Sequence, residues 1–112
     1  MEIWHNNRCS KSRQTLAIIE DSGTKVTIVN YLENPPTKKE LKEVLVKLGM
    51  KAADIVRKGE DIYKEKFKGK ELSEDEWIAA LIDNPKLIER PIVIKGDKAV
   101  LGRPPENVNE LL

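Results

Sequence analysis

The sequence predicts an α/β fold in which a helical insert separates a βαβ part from a ββα part, around a small mixed sheet. Three observations predict it. A short, partly apolar run at residues 2–6 and a β-branched, apolar one at 25–31 flank a stretch of helical period. Thr37 with Glu40, and Ser73 with Glu76, have capping-box spacing and open helical patterns in mid-chain. Two apolar runs at residues 92–94 and 99–101 meet across a turn containing Gly96.

In chain order, Ile3 and Trp4 give way to Asn6-Asn7, which suits a buried strand running into a loop. From Ser10, the positions of Thr15, Leu16, Ile18 and Ile19 read as a helix, which Asp21-Ser22-Gly23 stops. Residues 25–31 are β-branched and apolar, a second strand. Asn34-Pro35-Pro36 breaks the chain. Leu41, Val44, Leu45 and Leu48 then recur at helical spacing as far as Gly49. Residues 51–67 predict one or two short helices. The second capping box leads to Trp77, Ala80 and Leu81 on a helix that ends before Pro85. After the hairpin, Pro104-Pro105 with Val108, Leu111 and Leu112 predicts a short closing helix, since proline is tolerated in a first turn. A strand-helix-strand unit implies a parallel pair, and the hairpin adds antiparallel strands. That order is thioredoxin-like, a three-layer arrangement. Trp4 and Trp77 are assigned to packing.

At 112 residues and 12.8 kDa the chain is expected to form one domain over 1–112. Hydrophobic residues at 39% and charged residues at 35% exclude a disordered or membrane-embedded composition. No apolar run approaches the roughly 18 residues that span a bilayer. Met1-Glu2-Ile3-Trp4-His5 lacks the basic start and long apolar stretch of a signal peptide. A cytoplasmic location without membrane contact is therefore expected. Twenty basic and 19 acidic residues are interspersed, leaving a formal charge of +1 and no broad footprint for nucleic acid. The basic run at residues 64–70 reads as a solvated loop. One cysteine and one histidine exclude an internal disulfide framework and a Cys/His metal cluster. No metal and no bound cofactor are expected. Redox work at the thiol must draw electrons from another molecule.

That thiol, Cys9, directly precedes the first helix. Amides of a helix's first turn lack internal partners, and the helix dipole is positive there, so both favour a thiolate. A cysteine so placed titrates well below its usual value near 8.5, above all beside cations. Arg8, Lys11 and Arg13 are the neighbouring cations, and His5 lies just upstream. The same amides can cradle an oxyanion. Cys9-Ser10-Lys11-Ser12 resembles a disulfide-exchange C-x-x-C in which Ser12 replaces the second sulfur. Ser12 cannot resolve an adduct, but its hydroxyl can donate to the thiolate.

The segment His5-Asn6-Asn7-Arg8-Cys9-Ser10-Lys11-Ser12-Arg13 resembles the active-site loop of the glutaredoxin-coupled arsenate reductase family. So do Tyr31-Leu32-Glu33-Asn34-Pro35-Pro36, Val56-Arg57-Lys58, Leu87-Ile88-Glu89-Arg90-Pro91-Ile92-Val93 and Gly102-Arg103-Pro104-Pro105-Glu106, in register along almost the whole chain. The resemblance implies that Cys9 is the nucleophile that attacks arsenic, and that His5 and Ser12 tune it. It implies that Arg57, Arg90 and Arg103 bind the oxyanion, and that Arg90–Pro91 is a cis peptide. It further implies glutathione as co-substrate and glutaredoxin as the protein that completes reduction, with a monomer expected. Asn7 stands where the family commonly has proline, and residues 64–72 resemble the family least.

Taken alone, several of these residues carry other readings. Arg57 reads as an arginine capping helix carbonyls, and His5 equally as a loop histidine. Arg90 and Arg103 precede prolines flanking the hairpin, which puts both near one end of the sheet. Two further functions are compatible with the sequence. One is a glutathione-linked thiol reductase acting on another substrate through Cys9. The other is a non-catalytic module binding RNA polymerase, although relatives of that kind commonly carry the paired C-x-x-C that Ser12 removes.

Overall fold

The computed structural model describes residues 1–112, and the chain forms two compact units. The first comprises Met1–Asn34 and Arg90–Leu112, the second Pro35–Glu89. The first unit is discontinuous in sequence.

The first unit holds a mixed four-stranded sheet in the order β2-β1-β3-β4. Strand β1 (Glu2–Trp4) pairs parallel with β2 (Thr27–Val29) and antiparallel with β3 (Ile92–Lys95), so that Ile3 faces Ile28 on one side and Val93 on the other. β3 continues into β4 (Lys98–Leu101) through a two-residue turn, where Gly96 supplies the positive φ of 61° that a tight hairpin needs at its first central position. Helix α1 (Ser10–Asp21) crosses between the parallel strands. The closing segment, Pro105–Leu111, winds as a 3₁₀ helix. Ile3, Ile19, Val93, Val108 and Leu111 form the buried cluster joining sheet, α1 and closing helix.

The first two strands are shorter than the runs at residues 2–6 and 25–31 suggested. β1 stops at Trp4 because the chain turns through Asn6, although the ladder persists one step further as His5 N–H donates to the Val29 carbonyl (2.9 Å). β2 covers only residues 27–29 and lies at the sheet edge, with Ile28 half exposed.

The second unit is helical. Helix α2 (Lys38–Leu48) has the predicted capping box: Glu40 N–H donates to Thr37 Oγ1 and Thr37 N–H to Glu40 Oε1, each at 3.1 Å. Gly49, in the left-handed region, ends it. A 3₁₀ turn (Ala52–Ile55) and helix α3 (Asp61–Lys66) occupy the weakly patterned middle, and the basic run around residues 64–70 is largely exposed. Helix α4 (Glu74–Asp83) has the second capping box, at Ser73 and Glu76, and its Trp77, Ile78 and Leu81 are buried. A bridge between Val56 and Ile88, flanked by hydrogen bonds from Arg57 N–H to Leu87 and from Glu89 N–H to Ile55, ties the unit's last residues to its middle.

In the first unit, Gly102 sits at a close approach of the chain to α1 and Pro91. Its N–H donates to the Pro91 carbonyl at 2.9 Å, and a Cβ there would lie 2.6 Å from both Pro91 Cγ and Thr15 Oγ1. Gly102→Ala is expected to cost roughly 1–3 kcal/mol through overpacking. That is a fall in Tm of about 5–15 °C. Gly59→Ala, where the added carbon meets nothing, is the control. Equal Tm values for the two variants would contradict this account of the packing.

Candidate active site

The loop between β1 and α1 is fixed by its own polar groups. Asn6 organises it: its Oδ1 accepts from Arg8 N–H (3.0 Å) and its carbonyl from Cys9 N–H (3.0 Å). This is the local side-chain-to-backbone turn that asparagine favours. Arg13, one turn into α1, donates from Nη1 to the Asn7 carbonyl (2.8 Å) and fastens the loop there. Cys9 is the N-cap residue of α1, extended in backbone and partly buried.

The thiol lies below its ordinary pKa. Burial alone would raise it, and the Ser12 backbone amide, the Arg90 guanidinium and the Lys11 amide together outweigh that. These amides face sulfur without closing a capping hydrogen bond. Arg90 is raised in turn: burial works against its charge, but Cys9 and Tyr31 more than offset it. Arg103 Nη1 donates to Cys9 Sγ at 3.8 Å and to the Arg90 carbonyl at 3.2 Å. Asn107 Nδ2 holds the Arg103 corner by donating to the carbonyls of Leu101 and Arg103. Both arginines precede cis prolines, Arg90–Pro91 and Arg103–Pro104.

Five of the six predicted site residues, His5, Cys9, Ser12, Arg90 and Arg103, come together in the first unit. Arg57 belongs to the second, partly buried, with Nε 3.5 Å from Glu60 and Nη1 3.6 Å from Glu89. It is ion-paired rather than capping carbonyls. Ser12 acts differently from expectation. Its buried hydroxyl lies 2.6 Å from His5 Nδ1 and accepts from Asn6 N–H (3.1 Å), so it is the Ser12 backbone amide that favours the thiolate. His5 sits below its ordinary pKa, through burial and then the positive charge of Arg13, with Glu20 opposing.

After the Ser12 backbone amide, the side chain that lowers the thiol is the distant Arg90, not the cations nearest Cys9 in sequence. Sequence reading also gave no role to Tyr31, which is fully buried and interacts with Arg90. Its signal was a tyrosine at a strand end, whose hydroxyl must find a partner once buried.

With this geometry in view, the chain matches the ArsC family over residues 4–111. The chain belongs to the ArsC family. Among its relatives, an arsenate reductase of Neisseria meningitidis serogroup A is 42% identical, covering 100% of this chain and 97% of that protein. An uncharacterized protein of Escherichia coli K12, YfgD, is 46% identical, covering 100% of this chain and 96% of its own. A solved arsenate reductase from Vibrio cholerae superposes with a TM-score of 0.94 at 45% identity, covering 100% of this chain and 98% of that one. The fold of these ArsC-family neighbours is the thioredoxin-like one. No helix of this chain is long and apolar enough to cross a membrane.

Two pH dependences follow. Thiolate absorbance is expected to titrate below free cysteine, and Arg90→Gln to move the midpoint upward; an unmoved midpoint would remove Arg90 from the thiolate's support. For His5, a folded pKa below the unfolded one means a contribution to stability that is full above the unfolded value, about 6.5. It is lost as pH falls through the folded value. Across that acid window wild type should lose Tm faster than His5→Asn, and parallel curves would contradict a depressed His5.

Proposed function

We propose that this protein is an arsenate reductase in which Cys9 takes arsenic, and glutathione with glutaredoxin completes the reduction. The observation carrying this reading is the convergence of Arg90 and Arg103 on the Cys9 thiolate at the start of α1. Arsenate is a tetrahedral oxyanion, and arginine forks with the free amides of a helix's first turn suit such a group. The relatives named arsenate reductase support arsenic as the element handled. The resemblance adds Arg57 as a third oxyanion ligand.

The chemistry balances with one small thiol and one protein thiol. Cys9 Sγ forms a bond to As(V) as an As–O bond breaks, and the oxygen leaves as water after protonation. Glutathione sulfur adds in the same way and displaces a second oxygen as water. Glutaredoxin's thiolate then attacks the glutathione sulfur, forming a disulfide. The electron pair of the breaking As–S bond stays on arsenic, which becomes As(III). Hydrolysis of the Cys9–As bond releases arsenite and restores the thiolate. Arg90 and Arg103 serve where negative charge gathers on oxygen, the place at which fixed cations contribute most.

Arsenate-dependent NADPH consumption, coupled through glutathione, glutaredoxin and glutathione reductase, tests the reading. Wild type is expected above the no-protein control and Cys9→Ser at background. Arg90→Gln and Arg103→Gln should each lower kcat/KM for arsenate by about 10²-fold. An unchanged value in Arg57→Gln would remove that residue from the oxyanion set. Background rates in wild type and Cys9→Ser alike would overturn the assignment and favour a thiol reductase with another substrate.

A further inference from the structure

The first unit carries a cavity of about 250 Å³ lined by Asn6, Asn7, Arg8, Asn30, Leu32 and Glu33, without contribution from Arg90 or Arg103. It lies where the chain leaves the carboxyl ends of the parallel strands β1 and β2. Open α/β sheets bind ligands outside the carboxyl ends of their strands. The volume falls below the roughly 300–1,000 Å³ of pockets for drug-sized ligands, so it suits one end of a small molecule.

Its lining is specific in charge. Three asparagines supply amide donors and acceptors, and Leu32 is the single apolar residue. Arg8 and Glu33 face the same cavity with opposite charges, yet neither makes an ion pair and both are exposed. Of Arg8, only the backbone N–H is engaged, by Asn6. Its guanidinium is also absent from the groups acting on Cys9, although the thiol is the next residue along the chain. Two opposite charges left unpaired across one polar cavity match a ligand carrying both signs on one small group.

We propose that this cavity holds the zwitterionic amino-acid end of the small peptide thiol that attacks the Cys9 adduct. Arg8 takes its carboxylate and Glu33 its ammonium, with the asparagine amides around its backbone. Docking there is non-covalent and brings the thiol beside Cys9. The proposal rests on the preceding reading only in taking a thiol as co-substrate.

The probe is S-methylglutathione, which keeps the zwitterion and lacks the thiol, titrated into the protein and followed by backbone amide NMR. Saturable shifts are expected at Asn6, Asn7, Asn30 and Glu33. Exposed charge pairs are weak, so Arg8→Gln and Glu33→Gln should each weaken binding by about fivefold rather than abolish it. The N-acetyl derivative of the probe, lacking the ammonium, should bind wild type more weakly and be indifferent to Glu33→Gln. Absence of saturable shifts, shifts confined to other residues, or wild-type affinity in both variants would overturn the site. In arsenate turnover, both variants should raise KM for glutathione about fivefold and leave KM for arsenate unchanged. Cavity shifts without any arsenate turnover would sink the reaction and keep the site. Turnover with no cavity shifts would sink the site alone.

Discussion

A negative sulfur survives in the partly buried setting of Cys9 because the first-turn amides of α1 and the Arg90 guanidinium face it together. Either support alone would meet the full resistance of burial to charge. Much of the first unit serves this meeting. Strand β1 and the Asn6 turn deliver Cys9 to the head of the helix, and the chain into β3 delivers Arg90. Arg103, beyond β4, reaches both the sulfur and the Arg90 carbonyl, so the two ends of the hairpin close on one atom. The tight contact of Gly102 with Pro91 and Thr15 makes this closure possible, since any side chain there would push hairpin and helix apart.

The same field that steadies a thiolate is suited to an oxyanion, so on the proposed reading one set of cations serves both the thiol and its substrate. Arg13 serves a different end. It braces the loop through the Asn7 carbonyl and adds to the burial that lowers the pKa of His5. His5 and Ser12 form a buried hydrogen-bonded pair beneath the loop, which shapes the backbone presenting Cys9. Arg57 lies between two carboxylates, with Nε 3.5 Å from Glu60 and Nη1 3.6 Å from Glu89.

What was legible in the sequence is what local chemistry dictates. The capping boxes at Thr37 and Ser73, the stop at Gly49 and the Gly96 turn depend on groups a few residues apart, and each stands where the pattern put it. Strand lengths were less legible, because an edge strand ends where its partner ends rather than where its apolar run does. At the site, Cys9 was readable from its place before a helix. Among the cations, Arg90 and Arg103 were legible only through the family resemblance, because nearness in sequence is not nearness in space. Arg8 points into the asparagine-lined cavity and Arg13 serves the loop, while Arg90 comes from the far end of the chain. Ser12's hydroxyl has a partner, His5, that no spacing rule announces.

The most direct test of a site shared by thiolate and oxyanion is the rate of Cys9 alkylation by iodoacetamide as arsenate is added without any reducing thiol. The account predicts saturable slowing in wild type, with the half-point moved to much higher arsenate in Arg103→Gln. Alkylation that proceeds at one rate whatever the arsenate concentration would contradict it.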